Sequence, residues 1–128
     1  YEDVVREVRE FLLDRAAACE QAGIARNRIS LDPGFGFGKT LQHNLELLAR
    51  LDVLCADSYP VLVGLSRKSM LSKLLGRGVD ERLPGSLALA TLAAERGAHI
   101  IRSHDVAETV DAVRVATAVR QARENARA

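Results

Sequence analysis

Three short stretches hold most of the side chains able to grip an anion or a flat heterocycle: Asp32 to Lys39, Ser66 to Ser69, and Arg102 to Asp105. Ser66-Arg67-Lys68-Ser69 places two cations and two hydroxyls where an apolar run gives way to a helical pattern. Free N–H groups at a helix start favour an anion. Arg102-Ser103-His104 repeats the arrangement further on. In the first stretch Asp32 could accept a pair of N–H donors, and Gly34, Gly36 and Gly38 let backbone approach a flat ligand and bring Phe35 or Phe37 to the rim. Lys68, Arg102 and His104, opposed by the single acid Asp32, suit an anionic ligand that also presents an N–H face. Each stretch also has a plainer reading: a glycine-rich surface loop with Asp32 as its local cap, and a solvated basic turn at Arg67-Lys68.

Other chemistries fit poorly. Gly38-Lys39-Thr40 follows a strand-like segment, but a phosphate-binding loop needs glycine where Pro33 stands, and a dinucleotide fingerprint needs glycine at Lys39. His43 lies on a polar helical segment and His99 at a strand start, with no zinc-like His/Cys spacing. Cys19 and Cys55 sit among apolar neighbours and read as buried free thiols of a reducing compartment. Eighteen Lys and Arg against 17 Asp and Glu leave a net charge of +1, so any anion binding must be local. No tryptophan and 4% aromatic residues disfavour a base-stacking surface. No apolar run approaches the roughly 20 residues of a bilayer span and no signal pattern opens the chain, which points to the cytoplasm and to no membrane or nucleic-acid partner.

The intervening segments must position these groups. Val4, Val8, Phe11, Leu12, Ala16 and Cys19 predict an amphipathic helix over residues 2–22, stopped by Gly23. Residues 28–32 read as a strand, residues 41–56 as a second helix, and Val61 to Leu65 as a strand buried on both faces. A short helix from Ser69 stops at Gly76, residues 77–83 look mobile, and Pro84 opens a small-residue helix that ends at Gly97. His99 to Arg102 is a third strand. Asp105 with Glu108 makes an acidic capping box before a last helix bearing Val106, Val110, Val113 and Val119. Strands alternating with helices imply a parallel sheet and an α/β fold. All three polar stretches then fall at strand C-terminal ends, where such folds keep their chemistry.

Taken together and in order, Leu31 to Lys39, Gly64 to Met70 and Arg102 to Val106 resemble the motifs of the dihydropteroate synthase family, folate-pathway transferases that are sulfonamide targets. The resemblance runs from about Tyr1 to Val119. It implies an α/β fold in which residues 1–128 form the C-terminal portion, about strands six to eight with their helices, of a single pterin-binding (β/α)8 TIM-barrel domain whose N-terminal half is absent here. It implies the condensation of 6-hydroxymethyl-7,8-dihydropterin pyrophosphate with p-aminobenzoate, giving 7,8-dihydropteroate and pyrophosphate. By motif, Asp32, Lys68, Arg102 and His104 are the catalytic set. Gly36, Phe37, Gly64 and Ser69 join them in substrate binding. Asp32 and Lys68 would take the pterin, Arg102 and His104 the pyrophosphate, and Phe37, Lys68 and Ser69 the p-aminobenzoate. The family's Mg2+ ligand is expected in the missing half, so the chain alone is expected to be inactive, and its helices are expected to form a homodimer. Two other readings stay open: a silent half-barrel assembly partner, and a related pterin-binding methyltransferase barrel, against which the Ser66 to Ser69 motif counts.

Overall fold

In the computed structural model, which describes residues 1–127, Asp3 ends the extended N-terminus by accepting the Arg6 N–H at 3.1 Å and so caps helix α1, Val4–Gln21. Val4, Val5, Val8 and Ala16 are buried. Phe11, expected on that face, lies 63% exposed. The expected strand at 28–32 shrinks to one parallel bridge, Leu31 with Val61, because a 3-10 turn occupies Arg26–Arg28 and Pro33 follows closely.

The second helix is two: α2, Leu41–Ala49, and α3, Leu51–Cys55, broken at Arg50. Thr40 caps α2 in a reciprocal box, its hydroxyl accepting the His43 N–H and its own N–H donating to His43 Nδ1, both at 3.1 Å. His43 is thereby a structural residue. Strand β1, Leu62–Gly64, pairs in parallel with β2, Ile100–Arg102, in the register Leu62–Ile100, Val63–Ile101 and Gly64–Arg102. His99 supports the same edge by accepting the Val61 N–H at Nδ1, 3.0 Å away.

Between the strands lie α4, Ser69–Leu75, and α5, Leu83–Glu95, with Pro84 in the first turn of α5. Residues 77–83 carry a 3-10 turn, Val79–Glu81, and Arg82 anchors on the carbonyl oxygens of Arg77 and Arg67. Gly85 lets α5 press on α4, since a Cβ there would stand 2.6 Å from Leu71 Cδ2. The last helix, α6, spans Val106–Arg127 and packs on α5 through buried Thr109 and Ala116. Its start departs from the expected acidic box: the Asp105 carboxylate is drawn to Arg67 instead. Val106, Val110 and Val119 are exposed, because nothing among the described residues covers that face.

The core runs from α1 through Leu47, Leu51 and Leu54 to Val61, Val63, Leu65, Met70, Leu71 and Leu89. Such burial stabilises by about 1.5–3 kcal/mol per large side chain. Cys19 and Cys55 are half-buried and unpaired, and Cys55 packs against this core. Among the described residues no helix is long and apolar enough to cross a membrane.

Candidate functional site

The parallel pairing of β1 with β2 brings the second and third polar stretches side by side. Gly64, Ser66, Arg67, Lys68, Arg102, Ser103 and His104 line an open cleft of about 510 Å³ at the strand ends. Gly64 faces Arg102 across the ladder, and a Cβ on it would meet Arg102 Nη2 at 2.7 Å, so the guanidinium lies over bare backbone. Ser66 Oγ accepts the His104 N–H at 3.2 Å and lies 3.0 Å from His104 Nδ1, which holds the imidazole at the wall of the cleft. Lys68, Arg102 and His104 thus line one cleft.

The glycine loop joins this cleft through one contact. Lys68 Nζ stands 4.6 Å from the centroid of the Phe37 ring, a cation–π arrangement that leaves Phe37 67% exposed. Phe35, the other aromatic of the loop, is buried in the core. Gly36, at φ +83°, carries no side chain where Lys68 passes: a Cβ there would touch Lys68 Cδ at 3.5 Å. The loop is pinned by polar side chains on three sides. Asp32 Oδ1 accepts the Gly34 N–H at 2.9 Å, Asn44 Oδ1 accepts the Gly36 N–H at 3.0 Å, and Lys39 Nζ donates to the carbonyls of Gly34 and Phe37 at 2.9 and 3.1 Å. Burial lowers the Lys39 ammonium below its ordinary pKa, with Asp32 pulling the other way.

Asp32 itself lines a different depression, of about 330 Å³, with Tyr1, Phe11, Pro33, Gly34 and Lys39. The single acid and the three cations therefore do not line one cavity of this chain. Ser69 opens α4 and is exposed, outside the residues lining the cleft, and Lys68 before it makes no side-chain cap, so the first N–H groups of α4 have no side-chain partner there. Arg67 turns away to Asp105. Among the described residues no three His, Cys, Asp or Glu side chains gather as a metal site, and the cleft is lined by no carboxylate, so these residues do not fit the Mg2+ that the resemblance implies.

The three polar stretches do not by themselves assign Asn44, Lys39 and Asp105 as supports of the site. Asn44 does carry a signal: it is a polar residue on the apolar stripe of α2, three residues after Leu41 and four before Leu48, and it is 4% exposed. Lys39 and Asp105 carry none, since their partners are backbone carbonyls and a residue 38 positions away.

The sequence profile of one protein family, the pterin binding enzymes, matches residues 1–104. The dihydropteroate synthase of Escherichia coli K12 is 57% identical over 127 residues, 99% of this chain and 45% of the relative. That of Neisseria meningitidis serogroup C is 53% identical over 116 residues, 41% of its length. The chain thus spans less than half the length of these curated relatives. Among solved structures, dihydropteroate synthase from Xanthomonas albilineans in complex with 7,8-dihydropteroate superposes with a TM-score of 0.90 at 52% identity, over 93% of this chain and 46% of that one. The Yersinia pestis enzyme with a sulfonamide drug complex gives 0.92 at 48% identity, over 95% and 44%.

Proposed function

Because this chain belongs to the family of pterin-binding enzymes, we propose that it is the part of a dihydropteroate synthase that supplies the cationic wall of the active site. The observation carrying this reading is the convergence of Lys68, Arg102 and His104 on one cleft, with Phe37 seated against Lys68. Strands six to eight of a (β/α)8 barrel are the corresponding assignment for the Leu31 bridge, β1 and β2.

In this reading the C–O bond between the pterin methylene and pyrophosphate breaks largely ahead of attack. Negative charge grows on the departing pyrophosphate, where Arg102 and His104 are already fixed, while Lys68 holds the pterin. The p-aminobenzoate amine then forms the new C–N bond and its proton leaves to solvent. Phe37 and the aliphatic stem of Lys68 offer the aromatic amine a flat wall, and the start of α4 at Ser69 receives its carboxylate. Asp32 accepts the N–H donors of the pterin and balances the positive charge left on the ring. A homodimer through α5 and α6 belongs to the same reading, with Leu92, Val115 and Val119 as the exposed apolar residues available to it.

The direct test is a chimaera in which this chain replaces the matching C-terminal portion of the Escherichia coli relative. Formation of 7,8-dihydropteroate from the pterin pyrophosphate and p-aminobenzoate is expected. A folded chimaera without turnover overturns the reading.

A further inference from the structure

Arg67 lines the cleft beside Ser66 and Lys68, yet its N–H, carbonyl and guanidinium are each bonded to other protein groups. It is the one non-glycine residue of positive φ among those described, at +55°, a conformation that L side chains avoid unless their surroundings enforce it. The enforcement is visible atom by atom. Its N–H donates to Ser86 Oγ at 3.0 Å, and Ser86 is 4% exposed; its carbonyl accepts Arg82 Nη1 at 2.8 Å. Its guanidinium meets Asp105 with both ends, Nη2 to Oδ1 at 3.0 Å and Nε to Oδ2 at 3.4 Å.

Asp105 is equally fixed. Its N–H donates to Ser103 Oγ at 3.2 Å, and its carbonyl accepts the Thr109 N–H at 3.0 Å and the Thr109 hydroxyl at 2.7 Å. An isolated exposed ion pair contributes little, largely because two long side chains must be ordered to make it. Here both ends are ordered by other bonds, so the pair transmits position. The corner after β1 holds Ser66 and Lys68; the corner after β2 holds Arg102 and His104. Arg67–Asp105 and Ser66–His104 are the two side-chain links between them.

We propose that Arg67 is a positioning residue: its two-point grip on Asp105, held by the left-handed backbone at residue 67, sets the spacing of Lys68 against Arg102 and His104. This deepens the synthase reading and rests on it for the identity of the bound anion, pyrophosphate. It separates Arg67 from its neighbours in role, since Arg67 fixes the cleft that Lys68 uses.

The chimaera carrying Asp105→Asn, Arg67→Met, Arg67→Lys or the Asn/Met double change supplies the test, read as kcat, KM for p-aminobenzoate, calorimetric Kd for inorganic pyrophosphate, and Tm. Asp105→Asn and Arg67→Met should each lower kcat/KM and pyrophosphate affinity by about tenfold, the double change by no more than the worse single one, and Arg67→Lys by less than Arg67→Met. Normal kinetics for Asp105→Asn beside an impaired Arg67→Met overturn the proposal in favour of direct ligand contact. Additive losses, or a fall in Tm with kinetics and affinity unchanged, overturn it as well. If the unsubstituted chimaera folds but does not turn over, the synthase reading fails, and the pyrophosphate affinities alone still decide whether Arg67 and Asp105 act as one unit.

Discussion

The guanidinium of Arg102 lies against the backbone of its strand partner Gly64, so closely that a Cβ there would stand 2.7 Å from Nη2 and 3.2 Å from Nε. The glycine is thus a space requirement of the cation across the ladder. Gly64→Ala should leave the fold nearly intact, because the atom met is the end of a flexible side chain. It should move Arg102 and weaken pyrophosphate binding between about fivefold and a hundredfold, the range of an overpacking cost of about 1–3 kcal/mol. Calorimetry with a parallel melting curve checks both halves; unchanged affinity would mean that Arg102 reaches its anion from another position.

Charge should also order the ligands. With Lys68, Arg102 and His104 lining the cleft, p-aminobenzoate is expected to bind the assembled enzyme well only when pyrophosphate or the pterin pyrophosphate is present. Titration of p-aminobenzoate with and without pyrophosphate measures this, and equal affinities contradict the arrangement.

Removing one fixed cation should be costly in the transition state. Lys68→Ala or Arg102→Ala is expected to lower kcat/KM by about 10²–10³. Asp32→Asn should chiefly weaken pterin binding, since an amide presents one acceptor oxygen and no charge. Near-normal turnover of the Lys68→Ala enzyme removes Lys68 from the chemistry.

How far this site was legible in the sequence differs residue by residue. Lys68, Arg102 and His104 could be placed together because a buried apolar run, Val61 to Leu65, fixed one strand and the neighbouring helices demanded a parallel partner. The Leu31 strand was overstated: alternation in residues 28–32 looks the same whether one residue pairs or five, and only the Pro60 and Val61 neighbours decide that Leu31 alone bridges. The break at Arg50 was hidden because Leu48, Leu51 and Leu54 keep the 3–4 residue period straight through it. Arg67 and Asp105 each looked locally explicable, one as a cleft cation and the other as a helix cap. Their pairing is a tertiary fact, made by two corners that only the β1–β2 register brings together.

Burial pushes the Cys55 thiol up to about 11, with Arg120 opposing the shift. In the unfolded chain the thiol ionises near its ordinary value of 9.0, so the protonated form is favoured by folding. This contribution is present below the unfolded value and is lost as pH rises from there through about 11. With Cys19 replaced by Ala, alkylation of native Cys55 at pH 8 should run on the order of a hundredfold slower than that of the denatured protein. Equal rates would show an open thiol.

The free edge of β2 sets the last expectation. β1 is well covered, with Val61, Val63 and Leu65 all at 1% exposure or less, and Leu31 is buried beside them. Among the described residues β2 pairs on one side only, Ile100 is 45% exposed, and on the other face Ile101 borders an apolar groove of about 240 Å³ with Val106, Val110 and Val113. An uncovered strand edge next to an apolar face invites association. Expressed alone, the 128-residue chain should therefore self-associate, and it should form no 7,8-dihydropteroate with Mg2+ present, because its cationic cleft is lined by no carboxylate and Asp32 faces a separate depression. Mixing it with the separately made N-terminal portion of the Escherichia coli relative should suppress the association and restore some product. Light scattering and a product assay decide the matter: a well-folded monomer with measurable turnover would show that the site is complete within these residues and that the cleft between β1 and β2 needs no second wall.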